Sequence, residues 1–444
     1  MTLKEKFFLW KSTRDGCPLS KSAIEATWDV DHWSSSQLAE YNFQQRQQIV
    51  TYAYENSPFY RSYYDAMNFH PEMLKSEEDW TKVPIITKQD LRDNFQQIIV
   101  ESQRKYGRIG STGGSTGKPL KVLKDKRVNN FLTISRALHW YDISFAASKV
   151  IVGRNVKSPS VIKQIAKEFV YPTKSIALDA SSVDAQNIEA LIKKINLLHP
   201  EYICGYVGTI LEIARYVVNN NKKVHSLKLA WITSAPISMI ERDVIKKAFH
   251  CDIMDQYGSV EVACLGFESP EHIGLYVPID IRHLEIVDDE NRPVGTETLG
   301  NIVVTDLQNR VFPIIRYKNA DRTKFLNAKG RLPYPLIDSI KGRISDYVKT
   351  PNGIMVSGEY LTTIFDDYPD EVIAFQVVQN EDYSIVVKLC PNLNCQHIDR
   401  IVEKVRQNLV NKTKGEIPVE IKIVDEIVSD RGKTRYVINH LKQK

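Results

Sequence analysis

Nine consecutive residues, Ser111-Thr112-Gly113-Gly114-Ser115-Thr116-Gly117-Lys118-Pro119, bring together the groups that a polyphosphate needs. Glycines let backbone N–H groups approach an anion closely, Ser and Thr hydroxyls add donors, and a lysine adds charge. A Walker loop is excluded, because that pattern requires Gly five residues before the Gly-Lys pair and Ser or Thr after the lysine. Thr112 and Pro119 occupy those positions. The following Leu120-Lys121-Val122-Leu123 reads as a strand, whereas a Walker loop runs into a helix. A flexible Ser/Gly linker has a similar composition. The lysine and the position between folded segments argue against that reading.

Further islands carry chemistry-bearing side chains. In Asp255-Gln256-Tyr257-Gly258-Ser259-Val260-Glu261 an aromatic, a glycine turn and a carboxylate lie together after an apolar run. A tyrosine ring there would stack on a base, and a glutamate four residues on would hold a magnesium ion. An ordinary strand and turn with a core tyrosine fits the same residues. Thr233-Ser234-Ala235-Pro236 places small residues after an apolar strand, where a flat ligand can lie near the backbone, as in any strand-end loop. The aspartate of Arg316-Tyr317-Lys318-Asn319-Ala320-Asp321 would accept bonds from two ribose hydroxyls, or end a surface turn. Lys341-Gly342-Arg343-Ile344-Ser345-Asp346 lies at a composition break and suits a hinge. Asp430-Arg431-Gly432-Lys433-Thr434-Arg435-Tyr436 is the last island, with a basic tail as its plain alternative.

The elements that must position these groups read as an α/β chain. Residues 36–53 are helical, and 56–94 mix short helical pieces with turns at Pro58, Pro71 and Pro84. Helical patterns at 129–141 and 187–199 then alternate with apolar runs at 149–152, 202–203 and 229–232, the rhythm of an α/β sheet. Strands follow at 284–287 and 300–305. Beyond a break at 331–342 come a helix at 361–365, a hairpin at 373–378 and 384–389, a helix at 397–410 and a strand at 419–424. We therefore expect a large N-terminal α/β domain, 1–340, and a small mobile α+β domain, 341–444.

Bulk properties narrow the function. The 444 residues are 43% hydrophobic, enough for two or three domains with real cores. A net charge of +5 spread along the chain favours small anions but leaves no nucleic-acid footprint. No segment approaches the roughly 20 apolar residues of a membrane span. Six cysteines without framework spacing fit a reducing cytoplasm. Phe7 to Trp10 is a short apolar stretch that could meet a surface or partner.

Taken in order, these islands resemble the adenylate-forming superfamily of acyl-CoA synthetases, in particular the phenylacetate–CoA ligase family and its relatives encoded among capsule-polysaccharide genes. The likeness spans nearly the whole chain. The branch rests on Tyr52-Ala53-Tyr54-Glu55-Asn56-Ser57-Pro58-Phe59-Tyr60-Arg61, on Val83-Pro84-Ile85-Ile86-Thr87-Lys88-Gln89-Asp90-Leu91, and on Gly432-Lys433-Thr434-Arg435-Tyr436-Val437.

The resemblance implies a two-step reaction. A small carboxylic acid attacks the α-phosphorus of ATP, giving an acyl-adenylate and pyrophosphate, and an acceptor, usually coenzyme A, displaces AMP. Ser111 to Lys118 would hold the β- and γ-phosphates, Ser234, Ala235 and Pro236 with Gln256, Tyr257, Gly258 and Ser259 the adenine side, and Asp321 the ribose. Glu261 would hold magnesium, Arg343 would reach ribose or phosphate, Ser345 would take the hinge position, and Lys433 would be the catalytic lysine. An acceptor amine or hydroxyl on a sugar, in place of coenzyme A, is the alternative that capsule-associated relatives suggest. The chain departs from the family in three places. Cysteine and histidine are missing near Ser269 and Tyr276, where several members carry a zinc cluster, and Cys251, Cys264, His272 and His283 have no compact zinc spacing. Ser345 replaces the usual aspartate or lysine, and Lys318-Asn319-Ala320-Asp321 lacks the usual Thr-Gly. Trp140, Tyr141, Tyr206 and Trp231 are equally suited to core and to an acid pocket.

Overall fold

The computed structural model describes residues 1–14, 19–111, 120–153, 165–166, 170–180, 183–234, 236–340, 348–356, 361, 364–365, 368, 371–393, 395, 397–427 and 437–441. The chain forms two compact units, each assembled from separate stretches. The first combines Met1–Ala147 with Gln256–Ser339, and the second Ser148–Asp255 with Ile340–Lys444.

In the first unit, helix Ser35–Asn56 starts at a reciprocal cap. Ser34 Oγ accepts from Gln37 N at 3.2 Å while Gln37 Oε1 accepts from Ser34 N at 2.8 Å. It stops short of Pro58, which cannot continue a helix but opens the next one, Pro58–Ala66. Leu38, Ile49, Val50 and Ala53 recur on its buried face. Strands Arg282–Val287, Gly300–Asp306 and Tyr317–Thr323 form an antiparallel sheet, and the hairpin Gly107–Ser111 with Lys121–Asp125 forms a smaller one. Ser111 faces Lys121 across that hairpin.

The second unit carries a sheet with strand order Asp252–Tyr257, Leu229–Thr233, Tyr202–Tyr206, Lys149–Gly153, Ser175–Asp179. The pairs among the last four are parallel, as buried, apolar strands with helical crossovers require. Helices Ala185–Leu198, Val207–Asn219 and Met239–Phe249 supply Ile188, Ile195, Ile210, Ile213 and Phe249 to its core. The strand Asp252–Tyr257 begins in this unit and ends in the first. Toward the C-terminus, Val419–Ile423, Ile385–Pro391, Val372–Gln379 and Val437–Asn439 make a four-stranded sheet. Helix Ile398–Lys412 covers it through Ile401, Val405 and Leu409, which pack with Val377 and Val387.

The helix expected at 36–53 runs Ser35–Asn56, that at 187–199 runs Ala185–Leu198, and that at 397–410 runs Ile398–Lys412. Of the helix expected at 361–365, residues 362 and 363 lie outside the described residues, and 364–365 form a turn. Helix Leu3–Arg14 was not anticipated, because its apolar Phe7, Phe8, Leu9 and Trp10 are consecutive and mark no stripe. Phe8 packs against Phe131 and Phe145 at 4.9 and 5.6 Å between ring centres, whereas Trp10 is exposed. Among the described residues no helix is long and apolar enough to cross a membrane.

Candidate active site

Gly110 sets where the glycine-rich run springs from. A Cβ there would lie 2.9 Å from Lys124 Cε and 3.3 Å from Val260 Cγ1, so glycine lets the hairpin pack closely on both without displacing either side chain. The hairpin thus abuts the turn that carries Glu261. That turn is held by its own serine: Ser259 N donates to Val262 O at 2.9 Å, and Ser259 Oγ accepts from Val262 N at 3.0 Å. Gly258 permits a close return of the chain, since a Cβ would be 3.0 Å from Cys264 N. Arg282 pins the far side, donating from Nε to Ala263 O at 2.9 Å and from Nη1 to Asp306 Oδ1 at 2.8 Å.

Glu261 is buried, and its Oε1 accepts a hydrogen bond of 3.2 Å from the Tyr317 hydroxyl. Lys124, on the facing hairpin strand, is held below the usual lysine range by burial and by the like charge of Arg108, against the pull of Glu261. A buried carboxylate suits a hard cation that takes most of its ligands from phosphate and water. Magnesium fits such a donor set.

Tyr257 ends its strand with the ring buried, and its hydroxyl donates to Asp321 Oδ2 at 2.9 Å. Asn319 Nδ2 reaches the Tyr257 oxygen at 2.7 Å and Asp321 Oδ2 at 3.3 Å, and Asn319 Oδ1 accepts from Asp321 N at 3.0 Å. A register shift creates this cluster. Asn301 faces Arg322 and Val303 faces Lys318, so residues 319–321 bulge opposite Ile302, and Ala320 takes a φ of 69°. The bulge turns Asn319 and Asp321 toward Tyr257, where a fixed carboxylate is ready for hydroxyl donors.

The first unit therefore brings together Tyr257, Gly258, Ser259, Glu261 and Asp321 from the expected set, with Ser111 at the hairpin end and Gln256 facing Phe267 in an antiparallel pair. Ser234 and Pro236 belong to the second unit, where Ser234 closes the strand Leu229–Thr233 with a φ of 88°. Thr112, Gly113, Gly114, Ser115, Thr116, Gly117, Lys118, Ala235, Arg343, Ser345 and Lys433 lie outside the described residues. Sequence reasoning missed Asn319, Tyr317 and Lys124. Asn319 and Tyr317 were inside a recognised island, and only the bulge shows that they act on Tyr257 and Glu261.

Trp140 is core, edge-on to Phe267 and Tyr276 at 6.5 and 5.9 Å with Nε1 donating to Asp31 at 2.7 Å, and the Tyr141 hydroxyl is spent on Glu268 O at 3.2 Å. His272 Nδ1 lies 2.9 Å from Glu268 Oε1, and His283 Nδ1 2.9 Å from Asn42 Oδ1. Among the described residues no group of three or more His, Cys, Asp or Glu could hold a metal.

Residues 348–440 match the CapK C-terminal domain family. Protein CapK of Staphylococcus aureus is 28% identical over 428 residues, covering 91% of this chain and 90% of the relative. A phenylacetate–coenzyme A ligase of Aromatoleum evansii is 26% identical over 325 residues, covering 68% and 70%. A solved 2-hydroxyisobutyryl-CoA ligase, in the postadenylation state with R3-HIB-AMP, superposes with a TM-score of 0.73 at 18% identity, covering 90% of this chain and 88% of that one. The fold is that of adenylate-forming enzymes, with a C-terminal part of strands and a helix.

Proposed function

We propose that this chain, a homologue of CapK and of the phenylacetate–coenzyme A ligases, is an ATP-dependent ligase that adenylates a small carboxylic acid and passes the acyl group to coenzyme A. The observation that carries this reading is the joining of Tyr257, Asn319 and Asp321 into one hydrogen-bonded cluster, in the same unit as buried Glu261 and the glycine-rich hairpin. Each group has a task in the first step. The run 111–118 takes the β- and γ-phosphates. Asp321 accepts the ribose hydroxyls, oriented by Tyr257 and Asn319. Gln256, Tyr257, Gly258 and Ser259, with Ser234, Ala235 and Pro236, border the adenine.

Two anions must meet for the acid to attack the α-phosphorus, so positive charge has to be waiting where negative charge develops. Glu261 would hold magnesium, which when bound neutralises phosphate charge. Lys433 brings an ammonium to the departing pyrophosphate side, and Arg343 a guanidinium to ribose or phosphate. No side-chain nucleophile is needed. Lys433 belongs to the proposed small domain, 341–444, which turns about Ser345 so that a thiol can reach the adenylate carbonyl after pyrophosphate leaves, the domain 1–340 keeping the nucleotide. A reducing, cytoplasmic setting, read from six cysteines without framework spacing, belongs to the same proposal.

A second reading is motivated by the CapK match at 348–440: transfer of the acyl or aminoacyl group to a sugar amine or hydroxyl. One experiment addresses both. Pyrophosphate release is followed with ATP, magnesium and a panel of aromatic, aliphatic, hydroxy and amino acids, with and without coenzyme A. We expect release with one acid, and faster turnover with coenzyme A accompanied by thioester. Release indifferent to coenzyme A would favour the sugar acceptor, and AMP formation with no acid on the panel would sink the ligase.

A further inference from the structure

The helix Leu3–Arg14 has two apolar sides, one turned to the fold and one to solvent. Phe8 and Leu9 turn inward and pack on the cluster of Ile24, Phe145 and Ala146 in the same unit. At 3.6 residues per turn, Leu3, Phe7, Trp10 and Arg14 follow one another along the opposite side. Leu3 is 73% exposed and Trp10 55%. Phe7 is half-buried with its ring 5.6 Å from that of Trp10, and the Arg14 guanidinium lies 5.0 Å over the Trp10 ring. Because the two apolar stripes point in opposite directions, the consecutive run Phe7 to Trp10 shows neither of them in the sequence.

The charges of the helix are sorted in the same way. The helical repeat sets Lys6 along one edge of the outer stripe and Lys4 and Lys11 along the other, with Arg14 at its end. Lys4, Lys6 and Arg14 are exposed and Lys11 is half-buried. The one acid of the helix, Glu5, falls between Phe8 and Leu9 on the inner side. Its carboxylate accepts from Thr2 N at 2.8 Å and attracts Lys21 of the helix Lys21–Asp29. The outer stripe is therefore apolar along its middle and basic along both edges, with the helix's only carboxylate directed away from it. None of these residues has a part in the proposed adenylation.

We propose that this face docks reversibly on an acidic phospholipid surface. With 12 residues the helix is too short to cross a bilayer, so it lies in the plane of the headgroups. Leu3, Phe7 and Trp10 enter the boundary between headgroups and acyl chains, where an indole suits both its apolar and its polar surroundings. Lys4, Lys6, Lys11 and Arg14 meet the lipid phosphates, their stems lying along the apolar surface. Positive charge on both edges of a narrow apolar stripe matches a plane of uniform negative charge over an apolar interior. Three apolar side chains insert too little area to hold the chain alone, so the charges decide the affinity and salt weakens it. Phe8 and Leu9 keep the helix seated on its unit meanwhile.

Co-sedimentation of the full chain with vesicles tests this, comparing phosphatidylcholine alone with phosphatidylcholine carrying phosphatidylglycerol. The assay contains no nucleotide, so its result is independent of the ligase reading. Binding is expected on the acidic vesicles and not on the neutral ones, and it should fall about tenfold or more when salt is raised several-fold. Leu3→Ser combined with Trp10→Ser should weaken it by about tenfold or more, and so should Lys4→Gln, Lys6→Gln and Lys11→Gln together. If the triple variant melts early, Lys6→Glu, at an exposed position, should show the loss in its place. The proposal is overturned by absence of binding to acidic vesicles, by equal binding to neutral ones, or by full binding in the folded Leu3→Ser/Trp10→Ser chain. A dimer in analytical ultracentrifugation that this double variant dissolves would also overturn it, making a second copy of the chain the occupant.

Discussion

Arg316 and Asp321 are five residues apart, and the fold spends their charges in opposite ways. Arg316 is sealed in. Its Nε and Nη2 take both oxygens of Glu285 at 3.0 and 2.7 Å, and its Nη1 takes the carbonyls of Thr81 and Val83 at 3.1 and 2.6 Å. Trp80 Nε1 adds a bond of 2.8 Å to Glu285 Oε2. Arg316 thus ties the segment around Val83 to the three-stranded sheet. Asp321 is bonded instead to Tyr257 and Asn319, within the candidate site, by a bulge that breaks the sheet's register. One short polar island therefore contains an anchor and the carboxylate proposed for the ribose, and the bulge turns the second of them toward Tyr257.

That division makes different variants fail in different ways. Arg316→Met removes the charged partner of the largely buried Glu285 and leaves it the Trp80 indole N–H, and it should cost about 3–5 kcal/mol of stability in urea denaturation. An unchanged denaturation midpoint would show that the pair is no anchor. Lys433→Ala should lower pyrophosphate release by about 10²-fold, as loss of a transition-state donor does, with stability unaffected. Release at the normal rate would remove Lys433 from the mechanism. Asp321→Ala should raise the KM for ATP about tenfold, the loss of one good hydrogen bond to ligand, while costing about 1–2 kcal/mol of stability for the Tyr257 and Asn319 bonds it removes, less than Arg316→Met. If Asp321→Ala unfolds the protein as readily as Arg316→Met, the contrast between the two ends of the island collapses.

Much of this was legible in the residues. The apolar runs at 149–152 and 229–232 became strands Lys149–Gly153 and Leu229–Thr233, because buried parallel strands need continuous apolar side chains. Tyr257, Glu261 and Asp321 were picked out from the order of their islands, and the fold unites them through Tyr317 and Asn319. The bulge was not legible, since it depends on the pairing of 301–303 with a strand whose register no local pattern encodes. No local pattern marks Arg136 and Arg282, yet both are buried on Asp280 and Asp306. The partner of Arg136 is 144 positions away, so nothing near it in sequence announces the pair.

Both compact units are discontinuous: the chain leaves the first at Ala147, re-enters it at Gln256, and leaves again at Ser339. During synthesis, Gly107–Ser111 and Lys121–Asp125 emerge well before Glu261 and Asp321, with all of 148–255 between them. The nascent hairpin must therefore wait, with its apolar side chains exposed, while roughly a hundred residues of the other unit are made, and at about 5–20 residues per second that is a delay of many seconds. A chain cut short between 148 and 255 would carry nearly two thirds of the first unit without the remainder that completes it, a natural substrate for chaperones.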